Sequence, residues 1–330
     1  IIGAYRDNEV PGHHPLMLAL DAIRKTGLAM QTITLGPLRV TDINHLIASF
    51  LKTDTQVSLP LAGVIHEKTK GNPFFVTQFI KMLYSEHHIK LDPKNGWTWD
   101  ITDIKGLKVT ANVVDFLADK IGGLQADMRH LLKIGACVGN RFDAGTLASL
   151  TGKPLEETLT TLDTLILEGF IHRKGDYYRF HHDRIQEAAY SLLSEDERMQ
   201  LHLWIGLLGL GLTPPEEIFT QIFFIVDHLN KARALLSSNE EKLRLADLNL
   251  KAGVKAKDST AYHAATNYLE TGIGLLPENA WQSAYDLAYA LYLQQMECLY
   301  LDRNFSAAER MFETIKAHAA TNIDTARAYK

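Results

Sequence analysis

The sequence has little that could cross-link the chain or place it in a membrane. Its 330 residues include only two cysteines, Cys137 and Cys298, and both lie within apolar helical patterns. We therefore expect free, buried thiols in a reducing compartment rather than a disulfide. No stretch of roughly 18 consecutive apolar residues occurs, and no secretory signal leads the chain. These absences predict a cytoplasmic protein that does not span or bind a membrane.

Positive charge is not in excess either. The formal net charge of -5 gives no electrostatic reason to expect a nucleic-acid partner. Apolar residues at 46% and charged residues at 22% are ordinary for a globular protein. The length predicts two or three domains. The chain opens in an apolar run without an initiator Met, which indicates a piece of a larger protein.

Two short apolar runs near the start are typical of strands. Ile1–Tyr5 reads as a buried parallel strand, and it ends at a charged group that begins with Arg6. In α/β nucleotide enzymes, charged residues at such strand ends face phosphates, although position alone favours a plain surface turn at Arg6. Gln31–Leu35 alternates as a second strand.

A helix around Leu61–Thr69 leads into Gly71-Asn72-Pro73. Gly71 supplies a permissive backbone, Asn72 is placed to cap the next helix, and Pro73 suits the first helical position. Such a helix start can receive an anion or the edge of a base, although any well-made helix start has the same chemistry. A polar hairpin is predicted next, over His87–Ile104.

Residues 110–193 show the order of elements of a winged helix, with four helical patterns followed by a hairpin. The hairpin is predicted to pair Phe170–Arg173 with Tyr177–Phe180. The helix that would enter a DNA groove, Pro154–Glu168, carries four acidic residues and, after Lys153, no basic one. Groove-binding helices need Lys and Arg to neutralise phosphates, so we expect no DNA binding here.

The segment from Tyr177 to His202 joins the two halves of the chain. Its strand-like spacing changes to helical spacing at Asp183, which is predicted to cap the helix. Adjacent His181 and His182 would point in opposite directions, and no Cys or carboxylate has metal-ligand spacing nearby. We therefore expect no metal site, no catalytic residues and a packed His202.

Helix-start signals recur after this joint. Ser194, Thr213 and Ser238 each begin a capping-box pattern. Tyr262 and the residues after it match Phe305 and its followers at an offset of 43 residues. A tetratricopeptide (TPR) unit is roughly 34 residues long, and other helical-hairpin repeats are longer. The pattern predicts helical repeats over 194–330, in an array that continues beyond Lys330.

Four motifs together resemble a known family. They are Gly3–Val10, His14-Pro15-Leu16, Gly71–Phe75 and Phe180–Tyr190, the last reading Phe-His-His-Asp-Arg-Ile-Gln-Glu-Ala-Ala-Tyr. In combination they look like the latter part of the STAND-type, AAA-related ATPase region of large bacterial signalling proteins. In those proteins a serine/threonine kinase domain precedes the ATPase, and GAF and sensor histidine kinase domains follow helical repeats, as in two-component systems.

The resemblance implies a mainly α protein with minor β structure. Residues 1–109 would be the C-terminal part of the ATPase core with its helical lid and hairpin, 110–193 a winged helix, and 194–330 TPR-like repeats. Arg6 matches the family's sensor arginine, which faces the terminal phosphate of ATP. Gly71 and Pro73 match its glycine-x-proline motif, in which the proline lies against adenine.

Partners and cofactors follow from the same resemblance. The cofactor would be ATP, with Mg²⁺ only in the full-length parent, and the repeats would hold other proteins, with self-association left open. The parent would be an ATPase and a protein kinase acting on serine/threonine, histidine or both.

The departures from the family are specific. The only Gly-Lys pair, Gly152-Lys153, is followed by Pro154, and Leu147 stands where a phosphate-binding loop needs its first Gly. No apolar run ends in paired acids that could hold Mg²⁺. By itself this chain is therefore not expected to hydrolyse ATP. Two alternatives stay open at this point: part of a maltose-regulator-like STAND transcription activator, or a plain helical-repeat scaffold.

Overall fold

A computed structural model describes residues 30–94, 96–107 and 113–329, together with Gly3, Leu16, Leu20, Ile23 and Leu28. The chain divides into two compact units, Ile1–Ala111 and Asn112–Lys330. The described part is mainly helical, with one two-stranded and one three-stranded antiparallel sheet. The expected fold class, mainly α with minor β, is confirmed. None of the described helices is long and apolar enough to cross a membrane.

The first unit combines amphipathic helices with a hairpin. Its described elements are α1 (Val40–Leu51), α2 (Thr55–Thr69), α3 (Pro73–Ser85), β1 (Ile89–Asp92), β2 (Gly96–Trp99) and α4 (Ile101–Gly106). The helices bury apolar residues three or four positions apart, the spacing of one helical face. These residues are Ile43, Ile47, Leu61, Ile65, Phe75, Phe79 and Leu83. The predicted hairpin is present, with Ile89 opposite Trp99 and Asp92 opposite Gly96.

Two predictions in this unit are wrong. Gln31–Leu35 forms no strand; Ile33 and Leu35 are almost fully exposed, so the alternation there covers no core. Helix α2 begins at Thr55 rather than near Leu61, because Asp54 caps it by accepting a hydrogen bond from the Gln56 N–H at 2.6 Å. Pro60, which usually marks a helix start, lies inside this helix.

The second unit begins with helices around a small sheet. Its elements are α5 (Val113–Gly122), α6 (Ala126–Val138), β3 (Arg141–Phe142), α7 (Ala144–Thr151), α8 (Leu155–Leu167), β4 (Ile171–Lys174), β5 (Tyr177–Phe180) and α9 (Asp183–Ser191). The strands lie in the order β3-β5-β4, all antiparallel. Strands β4 and β5 form the predicted hairpin, with Lys174 opposite Tyr177. Phe142 packs on Tyr178 and Phe180, with ring centroids 6.3 and 5.4 Å apart.

Within the described residues, only helices follow α9. They are α10 (Glu195–Leu212), α11 (Ile218–Lys231), a 3₁₀ turn (Arg233–Leu235), α12 (Asn239–Asp258), α13 (Tyr262–Gly274), α14 (Ala280–Ser283), α15 (Tyr285–Leu301), α16 (Phe305–His318) and α17 (Asn322–Ala328). The capping boxes predicted at Ser194 and Ser238 are present. The one predicted at Thr213 is wrong, because its hydroxyl donates to the Gly209 carbonyl at 2.6 Å and so ends α10 instead.

The offset of 43 residues found in the sequence also relates two helical hairpins, α12–α13 and α15–α16. Each hairpin turns through a residue in the left-handed region, Thr260 with φ 59° and Arg303 with φ 62°. The amide of the next residue then bonds back into the first helix, at 2.9 Å from Ala261 to Ala256 and at 2.8 Å from Asn304 to Leu299. The second helix begins one residue later in both.

Candidate functional site

The turn between α2 and α3 has the form that the sequence predicts. Lys70 and Gly71 are both left-handed, with φ 51° and φ 73°. Asn72 then caps α3, its Oδ1 accepting a hydrogen bond from the Phe75 N–H at 3.0 Å. Pro73 is the first residue of the helix, and its side chain is exposed. We call Gly71, Asn72 and Pro73 the 71–73 turn.

Gly71 is required by a close approach of two backbone segments. The Leu38 amide donates to the Gly71 carbonyl at 2.8 Å. A Cβ at position 71 would collide with the carbonyl oxygen of Leu38, in addition to the strain of its positive φ. Gly71 is itself buried, and the Thr69 hydroxyl accepts a bond from its amide at 3.3 Å. The glycine therefore fixes the position of the exposed proline two residues later.

The start of α3 is poorly suited to hold a phosphate. Pro73 has no N–H, and the Phe75 N–H is already bonded to the Asn72 side chain. Helix N-termini bind anions through available amide donors. The exposed pyrrolidine ring instead offers a small apolar surface, which suits a planar base better than an anion.

Arg6, the other residue expected to face a nucleotide, lies outside the described residues. The common pocket for Arg6 and Pro73 therefore stays a prediction. The contact between Leu38 and the 71–73 turn was not predicted. Leu38 makes this contact through its backbone, so the residue type at position 38 does not indicate it.

The joint between β5 and α10 differs from its prediction in one detail. His182, not Asp183, caps α9, and its Nδ1 lies 3.1 Å from the Arg184 amide nitrogen. Gln186 Nε2 donates to the Ala136 carbonyl at 3.2 Å and so ties α9 to α6. Lys133 of α6 binds Glu197 of α10 at 2.9 Å. Gln186 of the motif Phe180–Tyr190 and the ion pair between Lys133 and Glu197 thus connect the joint to α6.

A chain of polar side chains extends this joint into the helices that follow. The hydroxyl oxygen of Tyr190 lies 3.1 Å from Nε2 of His202, whose Nδ1 lies 2.8 Å from Nδ1 of His228. Burial, and next the Lys231 ammonium, lower the pKa of both imidazoles to about 4. We call these three side chains the Tyr190 relay.

Sequence reasoning expected a packed His202 but did not single out His228. A signal was available, because His228 interrupts an otherwise apolar helix face formed by Ile222, Ile225, Val226 and Leu229. Both cysteines are free and buried, as expected, and burial raises the pKa of each thiol to about 11. Among the described residues, no group of three or more His, Cys, Asp or Glu side chains is placed to hold a metal.

Comparison with known proteins finds a distant relative. The chain is 26% identical, over an alignment of 376 positions, to hybrid signal transduction histidine kinase G of Dictyostelium discoideum. The alignment covers 95% of this chain but 11% of the relative, so the chain spans about a tenth of that protein's length. No protein-family model matches the chain.

Proposed function

We propose that the chain is the switch segment of a nucleotide-dependent signalling protein, in which the state of bound ATP controls a helical protein-interaction region. The observation that carries the proposal is the 71–73 turn, where a locked glycine presents an exposed proline. The similarity to a signal transduction histidine kinase over 95% of the chain supports a signalling context. In this proposal the first unit is the end of a STAND-type ATPase with its lid.

In the second unit, residues 113–193 act as a winged helix and residues 194–329 as TPR-like repeats. The sheet order β3-β5-β4 with α7 and α8 supports the first assignment, and the two hairpins with the same turn support the second. The acidic surface of α8 and the ion pair between Lys153 and Asp127, 2.6 Å long, favour a protein-binding role over DNA binding.

Pro73 would contact adenine in the intact nucleotide site, and Arg6 would contact the γ-phosphate. A guanidinium bound to that phosphate loses its bidentate partner on hydrolysis, and so reports the state of the nucleotide. The joint would pass on the change. Because Gln186 and Lys133 tie α6 to α9 and α10, a movement of the small sheet carries the first interaction helices with it.

The test uses isothermal calorimetry with ATP and Mg²⁺ on a longer protein that supplies the phosphate-binding loop. We expect Pro73→Ala to weaken binding about fivefold, equivalent to roughly 1 kcal/mol of apolar contact. Pro60→Ala is the matched control, since Pro60 is an exposed proline of the neighbouring helix α2. Arg6→Ala should lower ATP turnover more than ATP affinity.

Equal affinity and turnover in wild type, Pro73→Ala and Arg6→Ala would contradict the proposed roles of both residues. Absence of ATP binding in every variant would indicate a helical-repeat scaffold. Binding of ATP together with specific DNA by the longer protein would instead support the transcription-activator alternative.

A further inference from the structure

The Tyr190 relay lies at a meeting point of four helices, and both of its imidazoles are buried. His202 of α10 is 2% exposed and His228 of α11 is 6% exposed. Tyr190 belongs to α9, and the backbone of Val138, at the end of α6, partly offsets the lowering of the His228 pKa. Helices α9, α10 and α11 therefore contribute one hydrogen-bonding side chain each to a single chain.

The contact between the two imidazoles limits how many protons they can carry. Nδ1 of His202 and Nδ1 of His228 lie 2.8 Å apart, so one of these atoms donates an N–H and the other must be unprotonated. The bond between the rings therefore exists only while at least one ring is neutral. The Tyr190 hydroxyl can donate to Nε2 of His202 or accept from it, so it fits either tautomer.

Among the described residues, no charged group favours an added proton on either ring. The charged groups that act on the rings are cationic: Lys231 of α11 acts on both, and Arg198 of α10 acts on His202. From α9, the Tyr190 ring lies under Arg198, 4.6 Å from its guanidinium carbon. The edge of Phe224 packs against His228, with centroids 4.7 Å apart.

The remaining neighbours are neutral or already paired. From α6, Cys137 is held neutral by its raised pKa, and Lys133 is paired with Glu197. In the 3₁₀ turn, Arg233 donates to the Asn230 carbonyl at 3.0 Å. Among the described residues, no carboxylate counts among the groups that set the pKa of either ring.

We propose that Tyr190, His202 and His228 form an acid-sensitive latch, which holds α9, α10 and α11 together at neutral pH and opens as the imidazoles take up protons. With both rings protonated, two N–H groups would face each other across 2.8 Å. The first proton would already place a charge in a buried site. The latch goes beyond the proposed function, and it does not depend on nucleotide binding.

The sign of the pH effect follows from the lowered pKa of about 4 in the folded chain, against an ordinary value of about 6.5. Between these values the unfolded or opened chain binds more protons than the closed one. Stability that is complete above pH 6.5 is therefore lost as the pH falls toward 4. Between pH 7.5 and 5.5 the equilibrium constant for opening should rise about tenfold for each histidine.

The first measurement is a pH titration of the imidazole ¹⁵N shifts in the 330-residue chain. We expect both rings to stay neutral down to about pH 5, with a proton on only one of the two Nδ1 atoms that face each other. Titration of either ring near 6.5, or protons on both facing Nδ1 atoms at neutral pH, would overturn the latch. This measurement uses the wild-type chain, so it decides the matter even if a variant fails to fold.

The second measurement is urea unfolding at pH 7.5 and 5.5. The wild-type unfolding constant should rise by a factor between about 10 and 100, and His202→Gln/His228→Gln should remove most of this rise. His263→Gln is the control, since the His263 side chain is 83% exposed. Hydrogen exchange, corrected for intrinsic rates, should increase in α9–α11 more than in α15–α16. Equal increases in both regions, or the same pH dependence in the double variant, would contradict the proposal.

Discussion

The two hairpins α12–α13 and α15–α16 share a turn but not an interior. In the first, Gly253 lets the helices approach closely, and a Cβ there would lie 2.5 Å from Cγ of Leu269. At the corresponding positions of the second hairpin stand Met296 and Phe312, both partly buried. Ala252, fully buried in the first, corresponds to the buried amide of Gln295. The two hairpins therefore share the conformation of their turn, whereas the residues that pack between their helices differ.

The ends of the hairpins differ as well. Lys257, near the end of α12, donates to Gln294 and Glu297 of α15, both at 2.7 Å, so the second hairpin covers the first. The corresponding residue is Tyr300, which is 63% exposed and meets exposed Phe305 edge to face. The end of the first hairpin is therefore bonded to the second hairpin. At the end of the second hairpin, within the described part of the chain, Tyr300 and Phe305 are exposed to solvent.

The largest effect is expected at the close contact of the first hairpin. Gly253→Val must displace Leu269, which is fully buried, and should lower the free energy of unfolding by about 3 kcal/mol. Urea unfolding measures the loss. Gly274→Val is the matched control, because a Cβ at Gly274 meets nothing within 4 Å. If both variants lose the same amount, the close approach at Gly253 does not limit the packing.

Each hairpin also buries one amide, and the two should respond with opposite signs. Asn249 exchanges two hydrogen bonds of 2.8 Å with Asn230 and donates to the Leu245 carbonyl at 2.9 Å. Asn249→Leu should therefore cost about 2 kcal/mol, since it leaves Asn230 without its partner.

Gln295 provides the opposite case. Its Oε1 has no hydrogen-bond partner among the described residues, although the side chain is buried. Gln295→Met keeps the volume and removes the unsatisfied oxygen, so it should stabilise the chain by about 1 kcal/mol. Denaturation midpoints at equal m-values compare the two variants. A loss of stability in Gln295→Met would show that the oxygen binds a group that the hairpin comparison has missed.

Sequence patterns predicted the features that depend on local chemistry. Ser194 and Ser238 start helices because their side chains accept bonds from amides three residues away, and Asn72 caps α3 in the same way. The prediction at Thr213 failed because the same hydroxyl can end the preceding helix.

Contacts between segments that are distant in the sequence could not be predicted from residue patterns. Leu38 against Gly71 is a backbone contact, and the partner of His202 lies 26 residues away on another helix. The sequence indicates that a histidine lies on an apolar helix face, but not which side chain it meets. For the same reason Gly253 was not identified, since its role depends on the position of Leu269.

The smallest effect separates the two hairpin ends. Lys257→Met removes two charge-assisted bonds to α15 at a partly exposed site, so we expect a loss of about 1 kcal/mol or less. Tyr300→Lys, at the corresponding position of the second hairpin, should change stability by less than about 0.5 kcal/mol, because the tyrosine is mostly exposed. Thermal unfolding of both variants in one buffer makes the comparison. A greater loss for Tyr300→Lys than for Lys257→Met would mean that Tyr300 stabilises its own hairpin, and the contrast between a covered and an uncovered hairpin would then disappear.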